Sequence, residues 1–183
     1  MANHLHSGDL PSDLDLGPVV AIDCETMGLN PHRDRLCVIQ MSGGDGNAHI
    51  VQVANGQTEA PNLCAMLDNP DVLNLFHFGR FDIAAMYNAF GALAAPVYCT
   101  KIASKLGRTY TDRHGLKNLL QEMLGVDISK HQQSSDWGAE TLTEITDTQE
   151  VDRLAGLCRE AHPGSATNAF RQVFGQLARQ RTD

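Results

Sequence analysis

Two carboxylates, Asp23 and Glu25, close the apolar run Val19-Val20-Ala21-Ile22, which reads as a strand buried on both faces. Side chains alternate along a strand, so Asp23 and Glu25 project together while Cys24 points away. Paired acids at a buried strand end need a compensating partner, and a divalent cation is the one their chemistry calls for. For an isolated Asp-x-Glu, a solvated strand end with two surface acids is the simpler account. A third acid, Asp82, falls in the first turn of a helix predicted over Phe81–Phe90, where Ile83, Met86, Tyr87 and Phe90 recur at i, i+3, i+4, i+7 and Gly91 supplies the stop. The helix dipole alone favours a carboxylate there. The functional account is that the turn Phe78-Gly79-Arg80 delivers Asp82 beside the end of the first strand. Six basic residues (Lys101, Lys105, Arg108, Arg113, Lys117, Lys130) face three acids between 101 and 130, in a chain of net charge −8. Lys101, Lys105 and Arg108 are spaced i, i+4, i+7, which suits either a solvated helix face or one that follows a phosphate backbone.

The elements that must position these groups can be read in order. Arg35–Met41 is a second apolar strand, Gly43-Gly44-Asp45-Gly46-Asn47 is a hairpin signal, and His49–Val53 closes a three-stranded meander. A helix over Ala60–Leu67 ends at Asn69-Pro70, and Val72–His77 is a fourth strand leading into the Phe81–Phe90 helix. Pro96–Cys99 is a short fifth strand. Thr100 can cap a helix from Lys101 to about Leu106, and another helix runs from Gly115 to Met123. This order predicts an α/β fold with a mixed five-stranded sheet, a three-stranded antiparallel meander plus two crossover strands, flanked by helices. Residues 1–16 are polar and read as a loosely attached arm, with Leu10 and Leu14 able to lean on the core, ahead of a single domain over 17–183. At 183 residues and 42% hydrophobic the chain can bury one sizeable core. No apolar run reaches the roughly 20 residues of a membrane span, and the start Met1-Ala2-Asn3-His4 is unlike a signal peptide, so a cytoplasmic setting without membrane contact is expected. Cysteines at 24, 37, 64, 99 and 158 lack Cys-x-x-Cys spacing, which argues against disulfides and a zinc cluster.

On these motifs the sequence resembles the ribonuclease D-like branch of the DEDD 3′-5′ exonucleases, which have an RNase H-like fold. Asp23-Cys24-Glu25-Thr26-Met27-Gly28-Leu29 is similar to that family's first motif, and His77-Phe78-Gly79-Arg80-Phe81-Asp82 to its second. Three flanking stretches, Asn30–Leu36, Thr100–Leu106 and Lys130–Trp137, resemble the small single-domain bacterial members. The resemblance covers roughly residues 17 to 145. It implies hydrolysis of phosphodiester bonds from the 3′ ends of single-stranded RNA or DNA, with two divalent cations, Mg²⁺ or Mn²⁺. Asp23 would bridge both ions, Glu25 would bind the nucleophile-side ion and Asp82 the other. Hard ions of this kind take carboxylate oxygens and keep waters, so a few acids and the substrate phosphate suffice. They would also reverse the sign of an acidic pocket toward RNA. Thr26, Met27 and Leu29 would line the terminal nucleotide or serve ordinary turn packing. His77 would contact the scissile phosphate or simply end a strand, and Phe81 would wedge beside the terminal bases or pack in the core.

The family's third motif, Tyr-x-x-x-Asp or His-x-x-x-x-Asp on a helix, has no counterpart here. From about residue 147 the tail is atypical, reading Asp147-Thr148-Gln149-Glu150-Val151-Asp152-Arg153-Leu154-Ala155-Gly156-Leu157-Cys158. Asp152, with Leu154 and Leu157 on an amphipathic pattern, is the candidate fourth carboxylate and metal ligand. The residue four before it is Thr148, which cannot act as a base. His162 precedes Pro163-Gly164 and is a poor candidate for that role. The absent motif leaves a second expectation open, a catalytically weakened or inactive nucleic-acid-binding domain of the same fold.

Overall fold

The computed structural model describes residues 2–30, 32–127 and 154–155. Six strands, β1 (Ala2–Ser7), β2 (Val19–Thr26), β3 (Leu36–Ser42), β4 (Asn47–Gln52), β5 (Leu73–Phe76) and β6 (Val97–Cys99), form one sheet in the order β1-β4-β3-β2-β5-β6. β2, β3 and β4 are the antiparallel meander, and β5 and β6 join parallel to β2 and to each other. The helices are α1 (Pro61–Leu67), α2 (Arg80–Phe90), α3 (Thr100–Gly107) and α4 (Leu116–Leu124). The expected α/β architecture is therefore present, with one added strand. Residues 167–180, where Phe170, Val173, Phe174 and Leu177 recur at the i, i+3, i+4, i+7 spacing of a helix, lie outside the described residues.

That strand corrects the reading of residues 1–16 as a loose arm. β1 runs parallel to β4 in the register Ala2↔Asn47 to Ser7↔Gln52, so the sheet has six strands rather than five. β1 is nearly all exposed and has no apolar alternation to announce it. Main-chain pairing to β4 makes the strand, and that is invisible to a search for hydrophobic periodicity. The segment after it is also tied down. Asp9 Oδ2 accepts the Asn62 N–H (2.9 Å), Asp9 Oδ1 accepts the Leu63 N–H (2.9 Å), and Asn62 Nδ2 donates to Leu10 O (2.7 Å). A carboxylate more than fifty residues upstream thus caps the first turn of α1, whose own N-cap, Ala60, has no side chain to do so. Leu10 is buried in the core beside this cap.

The two faces of the sheet carry different layers. On one, Val20, Ile22 and Cys24 of β2 pack with Ile39, Met41, Phe76, the α1 residues Leu63 and Leu67, and the α2 residues Ala85 and Met86. On the other, Ala21 and Leu75 pack with Val19, Tyr98, Leu116 of α4, and the helical residues Leu154 and Ala155. β3 is buried along its whole length, as the central strand of a two-sided sheet must be. α2 ends as its sequence requires: Gly91 sits at φ +70 and its N–H closes on Tyr87 O.

Candidate metal and nucleic-acid site

β2 carries its acids out of the core at its C-terminal end. The strand alternates Val20, Ile22 and Cys24 onto the face covered by α1 and α2, so Asp23 and Glu25 take the parity of Val19 and Ala21 on the opposite face. Cys24 is 5% exposed, whereas Asp23 and Glu25 are only partly covered. The register shifts between Glu25 and Thr26, Cys37 being the extra residue on β3, and pairing resumes at Thr26↔Leu36.

Asp82 arrives from the other side. α2 packs on the Cys24 face, and its first turn carries Asp82 against β2, where Oδ1 accepts the Cys24 main-chain N–H at 3.0 Å. The third acid therefore bonds the peptide unit between the first two. Asp82 is 4% exposed, and burial pushes its carboxyl up from 3.8 to about 6 even though the Cys24 amide and thiol hydrogen bonds pull it down. Burial, reinforced by the three surrounding acids, also raises the Cys24 thiol well above its ordinary value, which makes it an inert core group. Asp23, Glu25 and Asp82 fit a hard divalent cation by charge and donor type. Among the described residues, no set of three or more His, Cys, Asp or Glu is close enough to hold an ion unaided. Water and substrate oxygens would have to complete its shell, which suits Mg²⁺. Asp152 lies outside the described residues.

The loop after β2 is held by one carboxylate. Asp34 accepts the Asn30 N–H at 2.9 Å and the Arg33 Nε–H at 2.6 Å, and the Asp34 N–H returns to Asn30 O at 2.7 Å. A Cβ on Gly28 would lie 2.4 Å from Asp34 Oδ2, so a larger residue there would have to displace the carboxylate that holds the loop. Thr26 Oγ1 donates to Gly28 O, and the Met27 N–H donates to Arg35 O at 3.0 Å. The turn leaves Met27 57% and Leu29 85% exposed beside the strand end, the apolar display that packing alone would have hidden.

His77 lies level with Asp23 when the β2–β5 register is carried two residues past its last pair, Ala21↔Leu75. Its Nδ1 bonds Thr100 Oγ1 at 2.8 Å, and Thr100 Oγ1 donates to Phe76 O at 3.2 Å. Thr100 thus ties β5 to the start of α3 rather than capping the helix. Burial, with Lys101 next in weight, lowers His77 to about 4, so the imidazole is neutral at neutral pH and offers a phosphate no positive charge. Phe81 is partly exposed at the start of α2.

Arg108 requires a correction. α3 ends at Gly107, so Arg108 is the residue beyond it and leaves the face shared by Lys101 and Lys105. Its side chain is 3% exposed and fully engaged. Nη1 donates to Ser104 Oγ and to Arg113 O, each at 2.8 Å, Nε donates to Glu122 Oε1 at 3.1 Å, and Nη2 pairs with Glu122 Oε2. A guanidinium with this many local acceptors joins α3 to α4 and has no face left for a phosphate backbone. Lys105 is exposed and Lys101 partly so.

Phe78 was not among the expected site residues. It has φ +74, where every other positive φ among the described residues belongs to a glycine, a conformation costing an L-residue about 1–2 kcal/mol. Continued strand alternation would have turned its ring toward the core beside Phe76; instead the ring is 52% exposed. Its N–H donates to Cys99 Sγ at 3.3 Å, and Lys101 Nζ stands 4.2 Å from the ring centroid. An aromatic residue before a glycine at a strand-to-helix turn is the signal in the sequence that could have marked it.

A family model described as 3′-5′ exonuclease matches residues 7–147. Ribonuclease D of Sphingobium indicum is 32% identical over 139 residues, covering 76% of this chain and 34% of that protein. The chain therefore spans about a third of the length of the curated relatives it matches. The structure matches that of Brucella melitensis NrnC bound to pGG with a TM-score of 0.80 and 46% identity, covering 100% of this chain and 86% of that one. It matches Brucella melitensis NrnC with bound Mg²⁺ at a TM-score of 0.74 and 44% identity, covering 100% and 94%.

Proposed function

We propose that this chain, which belongs to the 3′-5′ exonuclease family, hydrolyses phosphodiester bonds at the 3′ ends of single-stranded RNA, using divalent cations held at the end of β2. The observation that carries this reading is the bond from Cys24 N–H to Asp82 Oδ1, which anchors a buried carboxylate on the peptide between Asp23 and Glu25. Two such ions, Mg²⁺ or Mn²⁺, would supply an attacking hydroxide, a clamp on the phosphate and a stabilised leaving oxygen. In this assignment Asp23, Glu25 and Asp82 would hold the ions through their carboxylate oxygens. Cys24 N–H fixes the direction of the Asp82 carboxylate, and the core around Ile22 and Met86 keeps water from its buried side.

Met27 and Leu29 offer apolar contact to the terminal base, and Thr26 holds the turn that presents them. His77 acts as a neutral hydrogen-bonding group at the site edge, and Lys101 and Lys105 supply positive charge along α3. Asp152 is assigned as a fourth carboxylate. What supports it is that Leu154 and Ala155 pack against Ala21 and Leu75, on the sheet face whose parity Asp23 and Glu25 share. Two neighbours bear on the ligands: NrnC is seen with Mg²⁺ and with pGG, which favours a metal-dependent site able to take short oligonucleotides.

The test is incubation of 3′- and 5′-labelled single strands with Mg²⁺ or Mn²⁺, beside Asp23→Asn. Stepwise shortening of the 5′-labelled strand, slowed at least about 10²-fold by the substitution, is expected for loss of a charge-stabilising group. Binding without shortening in any divalent ion would sink the reading and leave a nucleic-acid-binding domain.

A further inference from the structure

Phe78 combines three features that packing does not explain. Its backbone is left-handed, its ring is half exposed where strand alternation would have turned it inward, and the turn around it is rigid. The rigidity has identifiable sources. A Cβ on Gly79 would lie 2.5 Å from Phe76 Cβ, so the chain passes close over a fully buried ring. Cys99 Sγ accepts the Phe78 N–H, and the His77–Thr100 bond fixes the preceding residue. The elbow therefore displays the ring in one place.

That place is close to the carboxylates. β5 runs parallel to β2 with Leu75 opposite Ala21, so the turn that follows β5 leaves the sheet at the same end at which β2 carries Asp23 and Glu25. Asp82 follows within the next helical turn. Lys101 Nζ over the ring adds a positive charge at 4.2 Å from the centroid. With the ammonium over one face of the ring, the opposite face is the one that can take a nucleobase, and a charge so placed suits an adjoining phosphate, as in single-strand binding sites that combine stacking with backbone charge.

We propose that Phe78 and Lys101 form a one-nucleotide recognition unit, in which the ring stacks a base of the bound single strand and the ammonium engages the phosphate next to it. The proposal rests on the reading that this chain binds RNA ends. It assigns the unit to substrate selection: a base held at the elbow sets where the strand lies relative to Asp23 and Asp82. Because stacking accepts any base, the unit discriminates by the presence of a stackable nucleotide at that position and not by its sequence.

Equilibrium binding of 5′-phosphorylated RNA dinucleotides and hexanucleotides carrying 2-aminopurine, with Ca²⁺ in place of Mg²⁺, tests the unit in the full chain. In the wild type, 2-aminopurine at the stacked position is quenched on binding. Phe78→Leu keeps an apolar side chain and loses roughly 5- to 150-fold in affinity together with the quenching, the worth of one base–aromatic stack. Phe78→Trp retains both. Lys101→Gln lowers the slope of log K against log[salt] by about 0.7, one single-strand phosphate contact. Phe78→Leu binding within twofold of wild type with quenching intact, or an unchanged slope in Lys101→Gln, overturns the proposal. If Phe78→Leu does not fold, the 2-aminopurine signal in Phe78→Trp and the Lys101→Gln slope decide it. These readouts need no turnover. A wild type that never shortens RNA yet shows Phe78-dependent binding refutes the hydrolytic reading alone, and an active wild type indifferent to Phe78 refutes the platform alone.

Discussion

Replacing Asp82 by asparagine should make the metal-free protein more stable while crippling the site. Burial raises the Asp82 carboxyl from 3.8 to about 6, so the folded chain binds this proton more tightly than the unfolded one. Stability from the group is fully present below pH 3.8, falls as pH rises through about 6, and is then lost. At ~1.4 kcal/mol per pKa unit, keeping Asp82 ionised at pH 7.5 costs the fold about 3 kcal/mol, and at pH 5 about half of that. The asparagine side chain cannot ionise, and its amide oxygen can still accept the Cys24 N–H. In EDTA at pH 7.5, Asp82→Asn should raise Tm by about 6–12 °C for a chain of this length, with a smaller gain at pH 5. Adding Mg²⁺ should reverse the order, because the wild type gains binding free energy that the variant has forfeited. Thermal unfolding by circular dichroism at the two pH values, with and without Mg²⁺, reads all four cases. A variant no more stable than wild type in EDTA at pH 7.5, or a gain that does not change between pH 5 and 7.5, would refute the claim that a buried uncompensated charge sits at this strand end.

Three further outcomes are expected. Gly79→Ala places a Cβ 2.5 Å from the buried Phe76 and should lower stability by about 1–3 kcal/mol, measured by urea titration. Arg108→Met takes its donor from Arg113 O and leaves Ser104 Oγ to His114 and the half-exposed Glu122 to Tyr110, for a loss of about 1–3 kcal/mol after discounting solvent screening. The salt dependence of RNA binding should be unchanged in that variant, whereas a phosphate contact would take about 0.7 from the slope. On β1, His4 and His6 stack with His49, and His6 Nε2 lies 3.0 Å from His49 Nδ1. Burial first, then the neighbouring imidazoles, lower both His6 and His49, with Asp45 opposing weakly at His49. Stability from this cluster is present above pH 6.5 and is lost as pH falls through the lowered values, so β1 amides should lose hydrogen-exchange protection on acidification before those of β3 do.

The parts of this protein that were legible in its sequence are those governed by local periodicity or by residue chemistry. The meander, the α2 pattern ending at Gly91, and the pairing of Asp23 with Glu25 follow from alternation, helical spacing and a left-handed stop, all of which act over a few residues. β1 escaped because an exposed edge strand needs only a main-chain partner, and that partner, β4, lies some forty residues away. Arg108 was misplaced because a spacing of i+7 assumes the helix continues, whereas α3 stops one residue short and Glu122 captures the guanidinium. Phe78 carried a faint signal, the aromatic residue before Gly79, with no means of showing which way its ring turns.

By itself the sequence determined which acids could share a strand face and which helix turn would carry the third. Only the tertiary structure decided that Asp82 closes on the Cys24 amide, that His77 is buried enough to stay neutral, and that Leu154 and Ala155 return to the face of Asp23 and Glu25. The reason is physical: carboxylate orientation, desolvation and the docking of distant segments depend on which residues meet across the sheet, and those meetings are set by packing over separations that no local pattern encodes.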